Sequence, residues 1–161
     1  MRRFFPPGVV AFLGLGIATG SVQPEVKLPV HNNQDPRGGI LRSFLKEKNC
    51  PAQDFADVFI AEADNHGLDW RLLPSLAFVE SGAGKTSRGN NLFGWDNGKM
   101  NFASVNQAIH QVASSLAEAR AYKGRSLRGK LANYNQDPEY GPLVVTVMRQ
   151  IYPRQLVEAA R

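Results

Sequence analysis

Residues 69–84 read Asp69-Trp70-Arg71-Leu72-Leu73-Pro74-Ser75-Leu76-Ala77-Phe78-Val79-Glu80-Ser81-Gly82-Ala83-Gly84. Asp69 has the short acceptor side chain of an N-cap, and the apolar run after it predicts a helix from Trp70 to about Ser81. Pro74 is tolerated near the first turn, where a missing N–H leaves no bond unmade. Positions three, four and seven before Glu80 are Ala77, Leu76 and Leu73. A carboxylate is thereby placed on the apolar stripe, in the last turn of the helix. Desolvation and the negative helix C-terminus both disfavour its ionised form, which raises the pKa toward that of a general acid acting near neutrality. The competing reading turns Glu80 outward to pair with Lys85 or Arg88.

Downstream, residues 82–103 hold Gly82, Gly84, Gly89, Gly94 and Gly98 among Asn90, Asn91, Asp96 and Asn97. This composition predicts a long irregular excursion or a small β-hairpin, and excursions of this length in compact domains are usually functional. Ser81-Gly82-Ala83-Gly84-Lys85-Thr86 resembles a phosphate loop only superficially. Glu80 stands where that motif needs glycine, and a helix precedes it instead of a strand. Phe93 and Trp95 put two large rings in this polar stretch. Such rings can stack on sugar faces or form a small core for the loop, and the expectation is Phe93 inside and Trp95 toward a groove.

The flanks are helical. Ile40, Leu41, Phe44 and Leu45 predict a short helix ending near Asn49, and a second helix runs from about Pro51 to His66, stopped by Gly67. Ser104-Val105-Asn106-Gln107 is a capping box opening a helix with Val105, Ala108, Ile109, Val112, Ala113 and Leu116 on one face, ended by Gly124. A short helix from Ser126 to about Asn133 follows. Asp137-Pro138 then starts a last one lined by Tyr140, Val144, Val147, Met148 and Ile151. Tyr140 fits the core by spacing, whereas Tyr134 sits where a helix ends and can point into a cleft.

Composition narrows the function classes. The 161 residues allow one domain plus an extension, and 43% apolar with 20% charged residues is globular. Cys50 is the only cysteine, which excludes an intrachain disulfide and a cysteine zinc site. It reads as a small buried residue more readily than as a nucleophile. His31, His66 and His110 lie far apart without ligand spacing, so neither a metal nor another cofactor is expected. Arg2-Arg3, the apolar stretch Gly8–Ala18 and the small residues Ala18-Thr19-Gly20 read as an export signal over residues 1–20, with an uncleaved membrane anchor as the alternative. Residues 21–38, with Pro24, Pro29 and Pro36, read as linker, leaving 39–161 as the domain. Loss of Arg2 and Arg3 lowers the formal charge by two, from +5 to +3. That suits a polyanionic partner such as a bacterial cell wall, and nucleic acid is not expected.

Three segments in order resemble the glucosaminidase family, glycoside hydrolase family 73, of the lysozyme-like superfamily. They are Phe78-Val79-Glu80-Ser81-Gly82-Ala83-Gly84-Lys85, then Asn90-Asn91-Leu92-Phe93-Gly94-Trp95, then Tyr134-Asn135-Gln136-Asp137-Pro138-Glu139-Tyr140. The resemblance runs from about Pro51 to Ile151. It implies a mainly α, lysozyme-like fold: a helical lobe and a small glycine-rich β-hairpin lobe with a glycan groove between them. It implies cleavage of a β-1,4 bond next to N-acetylglucosamine in peptidoglycan, without metal or organic cofactor. The family's acid falls on Glu80 and its cleft tyrosine on Tyr134. Asn91, Phe93, Trp95, Asp96 and Tyr140 are the candidate substrate contacts. Some members use a second carboxylate, and Asp96 is the sole acid between Ser81 and Ala103. With one acid, the substrate's N-acetyl group can serve as nucleophile, or an anhydro-sugar can be released as by lytic transglycosylases. A muramidase, a catalytically silent wall-binding module and a recruited partner of a secretion or motility apparatus are the other readings. A monomer is expected.

If residues 1–20 direct export, cell fractionation will find the chain outside the cytoplasm, shortened to begin near Ser21. Full-length protein confined to the cytosol would refute the expectation.

Overall fold

The computed structural model describes residues 35–152, and among them are six α-helices. These are α1 (Pro36–Glu47), α2 (Ala56–Asn65), α3 (Leu72–Ser81), α4 (Val105–Glu118), α5 (Leu127–Tyr134) and α6 (Tyr140–Ile151). The expected signal segment and the linker through residue 34 lie outside the described residues. The last residues of the expected linker are already helical. Asp35 caps α1 by accepting from the Arg37 N–H at 2.9 Å, and Pro36 occupies the first turn, where it is pre-set for a helix.

Helix α3 is apolar on nearly every side, and such a helix is stable only where neighbours cover it all round. Leu72, Leu73, Pro74, Ser75, Leu76 and Ala77 are all buried, and α2, α4 and α6 pack against it. Burial of Leu73 and Leu76 stabilises the fold by about 1.5–3 kcal/mol each. Helices α4 and α6 turn the expected stripes inward, Ala108, Ile109, Val112, Ala113 and Leu116 on one, Tyr140, Val144, Val147, Met148 and Ile151 on the other. At the start of α3, the buried Arg71 guanidinium bonds Asp69 and also donates to the Tyr152 carbonyl at 2.7 Å, tying the end of α6 to the start of α3.

Several boundaries differ from the sequence reading. The helix expected from Pro51 begins as a 3-10 segment, Pro51–Phe55, before α2. The Ala52 N–H there bonds the Ala83 carbonyl, so this turn is shaped by the loop after α3. Helix α4 stops at Glu118, not at Gly124, because Ala119 turns extended (φ −62°, ψ 138°). The Lys130 ammonium on α5 then donates to the carbonyls of Leu116 and Tyr122, satisfying groups the helix end leaves free. In the capping box, Ser104 accepts from the Gln107 N–H as expected, while the Gln107 side chain reaches the Ala103 N–H.

Of the irregular excursion or small β-hairpin expected after α3, the structure shows the irregular excursion, and the β-hairpin lobe implied by the family resemblance is not seen. Among the described residues there is no strand, and the segment between α3 and α4 holds only an isolated antiparallel bridge between Arg88 and Asn91. Positive φ at Gly82, Ala83, Gly84, Gly89, Gly94, Asp96, Asn97 and Gly98 breaks any ladder into single turns. Side chains hold the loop instead. The Ser81 hydroxyl donates to the Leu92 carbonyl at 2.7 Å and accepts from the Gly84 N–H. Asn90 donates to the Phe102 carbonyl. Asn91, buried, donates to the carbonyls of Trp95 and Met100 and accepts from the Trp95 N–H at 2.9 Å.

Asn91→Ala removes these three hydrogen bonds from a sheltered site, and only the Trp95 carbonyl keeps another partner, the Gly98 N–H at 3.1 Å. It should destabilise the protein by about 2 kcal/mol in denaturant unfolding, with a change in Trp95 fluorescence in the folded state. A loss below about 0.5 kcal/mol would mean that water replaces the amide at no net cost.

Candidate active site

Glu80 is the penultimate residue of α3, and the chain must turn sharply straight after it. Gly82 provides the turn at φ 62°, its N–H bonding the Phe78 carbonyl while the Ala83 N–H bonds that of Ala77. The carboxylate is thus held in place while the backbone swings away into the loop. It does not pair with Lys85 or Arg88 in the outward sense. The Tyr140 hydroxyl, from the first residue of α6, donates to Glu80 Oε1 at 2.6 Å. Burial raises the Glu80 pKa above the usual carboxylate range, and the tyrosine hydrogen bond opposes that rise.

The second carboxylate oxygen faces the loop. A methyl group at Gly94 would sit 3.3 Å from Glu80 Oε2, and Gly94 itself has φ 59°, so both space and backbone favour glycine there. With Oε1 occupied by Tyr140, Oε2 is the oxygen left to carry and donate a proton.

Three aromatic rings line up beside this group. Tyr134 and Tyr140 stack with centroids 5.8 Å apart and planes within 9°. Trp95 also packs against Tyr134, with centroids 5.9 Å apart and planes tilted by 57°. The Tyr134 hydroxyl donates to the Phe93 carbonyl at 3.0 Å, joining the end of α5 to the loop. Burial and the nearby Glu80 charge push the Tyr134 phenol well above its usual pKa, and burial with its tyrosine and Glu80 neighbours does the same for Tyr140. Both therefore stay protonated as hydrogen-bond donors.

The structure brings Glu80, Tyr134, Tyr140 and Trp95 together, and sets other candidates apart. The Phe93 side chain is buried edge-on against Phe59, so its ring belongs to the core and only its carbonyl reaches the cluster. The Asn91 side chain is committed to the loop backbone. Asp96 is exposed in a left-handed turn at φ 53°. Cys50 is buried and free, its thiol pushed up in pKa by desolvation, which suits packing and not nucleophilic attack. Sequence reasoning left Tyr140 between core and groove. It is both, a buried ring whose hydroxyl is the direct partner of Glu80. Gly94 was missed as a functional position. Its signal was a glycine between two aromatics in a loop that had to return to the helix end.

A family model described as mannosyl-glycoprotein endo-beta-N-acetylglucosaminidase matches residues 56–153. Searches of curated proteins and of solved structures return no match. The matched span takes in α2 to α6 and the loop, and with them Glu80, Gly94, Trp95 and both tyrosines. Covering more than half of the sequence and every element that builds this site, the match shows that the chain belongs to the glucosaminidase family of glycoside hydrolases.

Proposed function

We propose that this protein is an exported peptidoglycan glycosidase that cleaves the β-1,4 bond next to N-acetylglucosamine, with Glu80 as general acid. The observation that carries the reading is the half-buried Glu80 carboxyl, bonded at one oxygen by Tyr140 and open at the other beside Gly94. Burial keeps a proton on the group above the pH at which an exposed glutamate would lose it. That proton passes from Oε2 to the glycosidic oxygen as the bond to the anomeric carbon breaks. The sugar ring rests against Trp95, whose face suits its apolar C–H surface.

The positive charge that develops at the anomeric carbon needs an electron pair. Asp96, the sole acid between Ser81 and Ala103, is exposed in its turn. This favours attack by the carbonyl oxygen of the substrate's own N-acetyl group, an established route for glycosidases with a single acting carboxylate. Water then opens the cyclic intermediate, giving up a proton to the Glu80 carboxylate and restoring the acid. Mass spectrometry of digested peptidoglycan tests the bond and the outcome together. Reducing-end N-acetylglucosamine is expected, whereas anhydro-muramic ends would reassign the protein as a lytic transglycosylase and no product as a wall-binding module.

Glu80→Gln preserves shape but has no acidic proton, and should lower turnover on the order of 10²–10⁴-fold with glycan binding retained. The folded-state pKa of Glu80 is raised, so the wild type loses stability as pH climbs from the usual carboxylate range through that raised value. The Gln variant should therefore be the more stable one at neutral pH, and this advantage should vanish in acid. Wild-type turnover in Glu80→Gln would sink the assignment.

Tyr140→Phe removes the hydrogen bond that holds the Glu80 pKa down. The alkaline limb of the kcat/KM profile should move to higher pH, with Tyr134→Phe moving it less. An unshifted limb, at reduced rate, would show that Tyr140 acts only through packing.

A further inference from the structure

Apart from the Glu80 cluster, Glu62, His66 and His110 converge where the end of α2 lies against α4. Glu62 Oε2 is 2.9 Å from His110 Nδ1 and 3.6 Å from His66 Nε2. One donor atom from each residue lies within 4.8 Å of the other two. We propose that these three side chains bind a divalent transition-metal ion, Zn²⁺ best of all, and that the ion clamps α2 to α4. Nothing in the glycosidase reading requires such a site.

Donor chemistry selects the ion. Two imidazole nitrogens and one carboxylate oxygen suit zinc and its neighbours, whereas calcium and magnesium prefer oxygen alone. Bonds of about 2.0–2.2 Å in tetrahedral array put neighbouring donors roughly 3.3–3.5 Å apart. The observed 2.9 and 3.6 Å straddle that spacing, so small side-chain rotations bring the donors to it.

Two independent features support a ligand there. The other ring nitrogen of His66, Nδ1, lies 3.3 Å from Glu118 Oε1 at the end of α4. A carboxylate behind a histidine fixes its ring orientation and strengthens it as a donor, the arrangement commonly found around bound zinc. Glu62 is also buried, with two imidazoles for partners. Neutral imidazoles hydrogen-bond a carboxylate without cancelling its charge, and a divalent cation cancels it. The His110 side chain is half exposed, which provides an entry path and leaves a fourth position to water. The sequence carried a trace of the site, since Glu62 and His66 stand one helical turn apart. The third donor is 44 residues beyond His66.

The test is a zinc titration of the tag-free, chelator-treated chain against a chromophoric competitor, with circular dichroism melting in parallel. About one equivalent should bind at micromolar or tighter affinity and raise the melting temperature, reversibly with chelator. His110→Ala, made at a half-exposed position, should weaken binding at least about 100-fold. Glu118→Gln should weaken it about tenfold, and His31→Ala should leave it unchanged. Absence of zinc binding overturns the proposal. So does binding that survives both His66→Ala and His110→Ala within about threefold, which would mark an adventitious site.

Discussion

Burying α3 on nearly all sides is the constraint from which the rest of this structure follows. A helix that is apolar all round has no solvent-tolerant face, so α2, α4 and α6 must be arranged around it. The exception to that apolar character is its last full turn, where Glu80 interrupts the run. Desolvation at that point would be costly for an unpartnered carboxylate, and the fold answers with the first residue of α6. The Tyr140 hydroxyl meets the carboxyl at 2.6 Å, so the contact that offsets part of that cost also docks α6 onto the end of α3. Stability and the acidic character of Glu80 thus come from one packing arrangement.

The loop between α3 and α4 solves a different problem. It must return toward the end of α3 without a regular backbone ladder, since its left-handed residues interrupt any strand. Its carbonyls and N–H groups are taken up by Ser81, Asn90 and Asn91, side chains that act as short struts. Anchored in this way, and pinned from beneath by Phe93 against Phe59, the loop presents Gly94 to the carboxyl and Trp95 to Tyr134. The same asparagine and phenylalanine that looked like substrate contacts are therefore the supports of the residues that face outward.

Among the described residues, the polar clusters around Glu80 and Glu62 follow opposite logic. Around Glu80 the partner is the Tyr140 phenol, which donates a hydrogen bond without bringing charge, and burial leaves the carboxyl inclined to hold its proton. Around Glu62 the partners are imidazoles, which bring lone pairs and ligand geometry. The chemistry available at each carboxyl is set by these neighbours and not by the glutamate itself.

Much of this was legible in order along the chain. The apolar periodicities of α4 and α6, the cap at Ser104, and the position of Glu80 on the Leu73–Leu76–Ala77 face all follow from short-range spacing. The three family-like segments pointed to the family, and the residues they single out include Glu80, Trp95, Tyr134 and Tyr140, which the fold brings together. What short-range spacing could not carry were contacts between distant segments: Tyr140 reaching Glu80 across 60 residues, Tyr134 reaching the Phe93 carbonyl across 41, and His110 reaching Glu62 across 48. It also left the loop open between an irregular excursion and a hairpin, because glycine content signals turns without saying whether they join strands or hang from side chains. Local pattern determined the order of the helices and set Glu80 on an apolar face. Only the tertiary structure decided what each buried carboxyl would touch, since that depends on how helices far apart in the chain cross around α3.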